Sequence, residues 1–249
     1  NLKNSKAHNT LRAYQADFKD FSEFCAKNRF NSMPSDPKII SLYLTHLSAF
    51  SKFSTLKRRL ASISVIHKLS GHYIDIKHPM ITENLMGIRR VKGSYQKAKK
   101  PILINDLKLI IKAIDEDKNE MNRYKNRALI LVGFSGGFRR SELVSIEYED
   151  LDFVSEGVKI FVKRSKTDQS GEGMTKGIPY FSNPEYCPVI SLKKWIDKKC
   201  IKSGKIFDMS DRSVALIIKK YTSLVGLDPQ KYAGHSLRSG FATSTAELG

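Results

Sequence analysis

The residues from Tyr124 to Phe153 constrain the fold of this chain most. An apolar run with helical character, Ala128 to Phe134, stops at Gly136-Gly137, and a second amphipathic run begins on Arg139 in Phe138-Arg139-Arg140-Ser141-Glu142-Leu143. Paired glycines reach backbone angles that other residues avoid, so the spacing predicts a helix end and a turn there. Leu143 and Ile146 give the second run its apolar face, and Arg139 and Glu142, three residues apart, share one side of it. A guanidinium placed just past a glycine break, beside exposed backbone amides, suits the paired oxygens of a phosphodiester. The same residues also fit a surface ion pair on an ordinary helix, and this stretch alone leaves both readings open.

A second stretch narrows the choice. Gly234-His235-Ser236-Leu237-Arg238-Ser239-Gly240-Phe241 opens another predicted helix, with His235 and Arg238 on one face. Gly-Gly-Phe-Arg-x-Ser-Glu-Leu followed far downstream by His-x-Leu-Arg resembles the tyrosine recombinase (phage integrase) family, and the N-terminal half is similar to its Cre-like branch. That resemblance implies a mainly α fold with a small β-sheet. A helical N-terminal core-binding domain and an α+β catalytic domain would together grip DNA as a clamp.

Charge points the same way without the resemblance. The 249 residues carry 43 Lys/Arg against 25 Asp/Glu, a formal charge of +18, which calls for an anionic partner, most simply nucleic acid. Residues 1–101 hold 19 basic and 6 acidic side chains, so the front of the chain reads as a basic clamp and the back as a more balanced enzyme-like domain. Cys25, Cys187 and Cys200 fit no zinc spacing and read as reduced thiols in a reducing compartment. No apolar run approaches a membrane span, and no signal-peptide segment opens the chain. The expectation is a soluble, cytoplasmic, nucleoid-associated protein with no membrane contact.

Taken in order, Leu11, Tyr14, Phe18, Phe21, Phe24 and Cys25 recur at helical spacing and form an aromatic core stripe. Asp36-Pro37 is an N-cap followed by proline at the first helical position, opening a helix lined by Ile39, Ile40, Tyr43, Leu44 and Leu47. A third helix from Ser54 buries Leu56, Leu60, Ile63, Ile66 and Leu69, with Lys57, Arg58 and Ser62 falling elsewhere, and ends at Gly71. A fourth, from Ile81 to about Val91, closes on Arg89-Arg90-Val91-Lys92. Residues 93–101 are polar, basic and aperiodic, and read as an interdomain linker. The expected domains are therefore 1–92, DNA-binding, and 102–249, catalytic and incomplete at its C-terminus. The candidate DNA-contacting residues are Lys57, Arg58, Arg59, Arg89, Arg90, Lys92, Lys97, Lys99 and Lys100.

In the second domain Asn105 is a candidate N-cap for Leu107–Ile114. Glu147, Glu149, Asp150 and Asp152 alternate with apolar residues with no histidine near, and read as a solvated acidic loop rather than a metal site. Val158–Val162 is a predicted strand, Lys176–Phe181 its returning partner, and the polar residues between form a hairpin tip. Helices are predicted over Val189–Ile201 and Ser213–Val225. Spacing promotes no lysine of the hairpin above solvated status. The resemblance does: it implies a catalytic lysine there, best matched by Lys166 in Ser-Lys-Thr, with Lys163 and Arg164 as rivals.

By resemblance Arg139 and Arg238 bracket the scissile phosphate, Lys166 protonates the departing 5′ oxygen, His235 handles the nucleophile's proton or bonds the phosphate, and Glu142 orients its neighbours. No metal or other cofactor is implied. The product would be a 3′-phosphotyrosyl link, formed without ATP, on duplex DNA held by a dimer to tetramer of the chain. The nucleophilic tyrosine belongs downstream of His-x-x-Arg and is expected beyond Gly249, so the chain as it stands is expected to bind DNA without cleaving it. Rival readings are a non-catalytic DNA-binding protein on the same fold, a type IB topoisomerase, and an RNA-binding protein.

Overall fold

The computed structural model describes residues 8–93, 99–163 and 172–246. The chain divides into two compact units, Asn1–Gln96 and Lys97–Gly249.

The first unit is four helices: α1 His8–Lys27, α2 Pro37–Ser48, α3 Phe53–Leu69 and α4 Pro79–Lys92. The Asp36 side chain caps α2 by accepting from the Lys38 N–H at 2.7 Å, with Pro37 in the first turn. Phe21, Cys25, Ile40, Tyr43, Leu44, Leu56, Ile63 and Ile81 form the core, and Phe21 meets Tyr43 edge to face at 5.0 Å. The Asn84 amide holds α4 to α2 by donating to the Ser41 carbonyl at 2.8 Å. Gly71, at φ +81°, follows the end of α3. One expectation fails here. Ser62 is fully buried, not on an outer face, and its hydroxyl donates to Asp17 of α1 at 2.7 Å. The helical period marks apolar positions only, so it misses a polar residue turned inward to satisfy a buried carboxylate.

The second unit carries α5 Ile104–Asp115, α6 Glu120–Ser135 and α7 Arg140–Ser145. A short 3₁₀ turn, Tyr148–Asp150, leads into β1 Leu151–Val154, β2 Gly157–Val162 and β3 Met174–Pro179; α8 Pro188–Lys199, α9 Asp211–Leu224 and α10 His235–Ala246 complete it. The sheet is antiparallel in order β1-β2-β3, with Leu151 opposite Ile160, and Ile160 opposite Lys176. Every residue from Ala128 to Phe134 is buried, which makes α6 the central helix of this unit.

Two readings of this unit are corrected. The N-cap of α5 is Leu103, not Asn105. The acidic segment 147–153 is not a solvated loop: its second half is strand β1. Asp150 is buried and accepts from the Glu147 N–H at 2.9 Å, and Glu149 accepts from the Gly204 N–H at 3.1 Å. Carboxylates that close a turn on backbone donors are held by local hydrogen bonds that an alternating pattern does not reveal. The end of the basic segment is hydrogen-bonded within the second unit. The Lys100 N–H donates to the Lys231 carbonyl at 2.7 Å and the Ile102 N–H to the Ser236 carbonyl at 3.0 Å.

Candidate active site

The site begins at the end of α6. The Gly137 N–H donates to the Phe134 carbonyl at 3.0 Å and the Phe138 N–H to the Gly133 carbonyl at 3.2 Å, the paired bonds of a Schellman cap. Gly137 sits at φ +54°, where a side chain is strained. With α6 closed by these bonds, the carbonyls of Gly136 and Gly137 are left to accept from other elements.

Arg139 then caps α7. The Glu142 carboxylate accepts from the Arg139 N–H at 2.9 Å and from its guanidinium at 2.6 Å. Glu142 is only 2% exposed, Arg139 19%. The ion-pair and phosphate readings of the sequence are therefore compatible, because the carboxylate that fixes the guanidinium is itself out of solvent.

Helix α10 starts where Ser236 accepts from the Ala233 N–H at 3.0 Å. A Cβ on Gly240 would lie 2.0 Å from the Ile102 carbonyl oxygen, so only glycine lets α10 approach that backbone. Leu143 of α7 and Leu237 of α10 both reach Gly133 of α6, within 2.9 and 3.0 Å of where a Cβ would stand. This junction holds Arg139 and Arg238 on facing elements: Arg238 Nη1 donates to the Gly137 carbonyl at 3.3 Å and lies 4.0 Å from Glu142. His235, one turn earlier on α10, is exposed.

Lys176 also enters this site, and the sequence reading passed it over. From β3 its ammonium donates to the Gly136 carbonyl at 2.8 Å and the Gly137 carbonyl at 3.3 Å. It stands 3.8 Å from Glu142 and 4.4 Å from the centre of the Phe138 ring. Burial, above all, lowers its pKa below the ordinary lysine value; Glu142 opposes this, and Arg238 and Arg139 add to it. One signal was available. Lys176 is two residues before buried Ile178, so strand alternation puts both on the inward face. Among the described residues three cations thus converge on one carboxylate, a locally positive site.

Lys166 and its rival Arg164 lie outside the described residues. Lys163, the other rival, pairs with Glu147 and with Asp150 at 3.2 Å, and is committed to the 3₁₀ turn. Tyr232, the tyrosine nearest His235 in sequence, is buried and donates to Asp106 at 3.1 Å. Burial raises its pKa, the wrong direction for a nucleophile.

Residues 102–249 match the profile of the phage integrase family. Across 99% of its length the chain is 44% identical to an integrase/recombinase XerD homologue of Selenomonas ruminantium, covering 76% of that protein. The chain belongs to the phage integrase family. It is by that membership a tyrosine recombinase, an enzyme of site-specific DNA recombination. A tyrosine recombinase XerC of Leptospira interrogans is 23% identical over the whole chain and 78% of its own. Among solved structures, the XerH site-specific recombinase bound to its difH substrate shares the fold at a TM-score of 0.66 and 16% identity, over 96% of this chain and 69% of that one. The Tn1549 transposon integrase with transposon right end DNA matches at 0.66 and 16%, over 99% and 84%.

For this recombinase the basic residues of the first unit divide by surroundings. Lys57 is exposed, as are Arg89, Arg90 and Lys92 at the end of α4, where positive charge also suits the helix dipole. Lys92 donates to the Ser51 carbonyl at 3.1 Å. Arg58 is bonded to the buried Asp17 carboxylate. Arg59, 18% exposed, sits 3.2 Å from Asp17 and 3.4 Å from Asp20. In the second unit Lys99 donates to the Gln230 carbonyl and Lys100 is exposed; Lys97 lies outside the described residues. Among the described residues no helix is long and apolar enough to cross a membrane.

Proposed function

We propose that the Arg139–Glu142–Arg238 arrangement holds the scissile phosphate of duplex DNA for cleavage and rejoining through a 3′-phosphotyrosyl intermediate. The observation that carries this reading is the convergence of Arg139 and Arg238 on one buried carboxylate, with Arg238 44% exposed and so open to a ligand. A phosphodiester at the transfer transition state concentrates negative charge on its non-bridging oxygens, and fixed guanidinium groups offset it. Arg139 and Arg238 take those oxygens. Glu142 keeps the Arg139 fork oriented, so little reorganisation is needed when the phosphate arrives. Lys166 acts as the acid for the departing 5′ oxygen, and His235 assists the proton leaving the nucleophile. A covalent phosphotyrosine conserves the phosphodiester energy, so a second strand can reverse the step without ATP.

Charge supports duplex DNA as the partner: Lys57, Arg89, Arg90 and Lys92 are exposed on a unit with a basic excess. The XerH and Tn1549 relatives were solved on DNA, and lambda integrase on DNA as a dimer and as a tetramer. The chain is accordingly read as acting on DNA, in the cytoplasm, in assemblies of two to four copies.

The test separates binding from chemistry. Arg139→Ala and Arg238→Ala in the recombinase carrying its nucleophilic tyrosine should each retain DNA affinity and lose cleavage by about 3 kcal/mol of transition-state stabilisation. Loss of binding with the rate of bound complexes unchanged would assign both residues to docking instead.

A further inference from the structure

Among the described residues, Lys176 is the cation of the site that comes from the sheet, and its contacts reach the turn after α6 and the carboxylate on α7. Its ammonium bonds the Gly136 and Gly137 carbonyls at 2.8 and 3.3 Å. The Gly137 carbonyl is the group to which Arg238 donates. Glu142, 3.8 Å from the ammonium, is the carboxylate that fixes the Arg139 guanidinium. Only 15% of the Lys176 side chain is exposed, and the Phe138 ring flanks the charge at 4.4 Å. A buried ammonium is costly unless it is bonded and its charge is met; here the turn carbonyls accept from it, and the Glu142 carboxylate and the Phe138 ring face offset its charge. Among the described residues the groups facing it are Glu142 on α7, Arg139 at its cap, Arg238 on α10 and the turn itself.

We propose that Lys176 is a positioning residue of the recombination site, a cationic crosspiece from β3 that sets Arg139 and Arg238 relative to one another. It does so through one shared acceptor, the Gly137 carbonyl, to which Arg238 also donates, and one shared counter-charge, the Glu142 carboxylate 3.8 Å away, which also holds Arg139. It also adds a positive charge that a bound phosphate would meet in a low-dielectric setting. This role differs from the acid role given to Lys166, because the Lys176 ammonium is spent on carbonyls and does not need to surrender a proton. Without the crosspiece, the Gly136 carbonyl loses its lysine donor, and the Gly137 carbonyl, left to Arg238 alone, is no longer tied to the sheet.

The inference rests on the proposed phosphate-holding site, and the experiment is arranged to tell the two apart. Single-turnover cleavage of nicked duplex DNA is measured for the recombinase carrying its nucleophilic tyrosine, alongside Lys176→Met, Lys176→Arg and Arg139→Ala, with DNA affinity and melting temperature determined for each. A misplacement of about 1 Å costs roughly 100-fold in rate, so Lys176→Met should cleave about 100-fold more slowly while holding DNA within about threefold. Lys176→Arg should recover most of that loss, since guanidinium keeps the charge at every accessible pH. Its cleavage should also hold to higher pH than that of the unaltered protein, in which a lysine of lowered pKa discharges first. A purely structural lysine would change melting without this pH shift or this rescue. Cleavage by Lys176→Met within about threefold of the unaltered rate, or equal losses in Met and Arg variants, would overturn the proposal. If Arg139→Ala also cleaves normally, the phosphate-holding site itself is wrong. Should Lys176→Met fail to fold, the Arg variant's rate and pH profile decide the matter alone.

Discussion

Replacing Glu142 by glutamine tests how the site is held together. Glutamine still accepts from the Arg139 N–H and preserves the shape of the cap, but it removes the negative charge that three cations share. Arg139 stands 2.6 Å from that carboxylate, Lys176 3.8 Å and Arg238 4.0 Å. Arg139 and Lys176 are largely out of solvent, whereas Arg238 is 44% exposed, so water screens its share heavily. Removing one partner of a buried pair costs about 3–5 kcal/mol. The low end applies here because the cations retain some exposure and the Lys176 ammonium keeps its carbonyl partners. A loss of about 3 kcal/mol lowers the melting temperature of a unit this size by roughly 6–12 °C. Thermal unfolding of the unaltered chain and Glu142→Gln, with and without sulfate, reads both parts of the argument. Sulfate should stabilise the variant more than the unaltered chain, since an anion then supplies the missing charge. A fall smaller than about 2 °C, or no difference in the sulfate response, would refute the reasoning that Glu142 balances the cluster.

Other consequences follow from single residues. Gly137→Ala forces a side chain at φ +54° with its Cβ 3.0 Å from Phe241; it should cost about 1–2 kcal/mol in denaturant unfolding and slow cleavage by disturbing the carbonyl that receives Arg238. Gly240→Ala should be worse, because the new carbon meets the Ile102 carbonyl oxygen at 2.0 Å, and backbone must move; loss of cleavage with a lowered melting point is expected. His67 is buried, bonding the Ile63 carbonyl through Nδ1 at 2.8 Å and accepting the Ser35 N–H at Nε2. Burial lowers its pKa, so stability of the first unit is full above the unfolded histidine value of about 6.5 and declines as pH falls below it. His67→Gln should flatten that acid-side decline in unfolding titrations, and an unchanged decline would assign it to other groups. DNA affinity should drop steeply with salt, by about 0.9 in log–log slope per phosphate neutralised; a flat response would remove the exposed lysines and arginines from the interface.

The helices of the first unit were legible because their apolar residues recur with helical period and their ends carry Asp36-Pro37 and Gly71. The turn at Gly136-Gly137 and the partnership of Arg139 with Glu142 were legible for the same local reasons. What escaped was decided by contacts between distant elements. Asp17 draws Ser62, Arg58 and Arg59 toward α1, and helical spacing names the face of a residue but not the carboxylate opposite it. Asp150 is buried because it closes its own turn and pairs with Lys163. Lys176 belongs to the site because β3 pairs with β2 in a register that turns it inward beside Ile178. A lysine in a polar segment looks solvated until that register is known. The hairpin lysine implied by resemblance, Lys166, had no distinguishing local pattern of its own.

The central claim is best tested by trapping the covalent intermediate. Nicked duplex DNA bearing the target site would be incubated with the recombinase carrying its nucleophilic tyrosine, and the products denatured and mapped. The account predicts an adduct that survives denaturation, joined through a tyrosine to a 3′ phosphate with a free 5′ hydroxyl released, and absent in Arg139→Ala. Tight binding to that DNA with no adduct, or cleavage that leaves a 5′ phosphate, would contradict it.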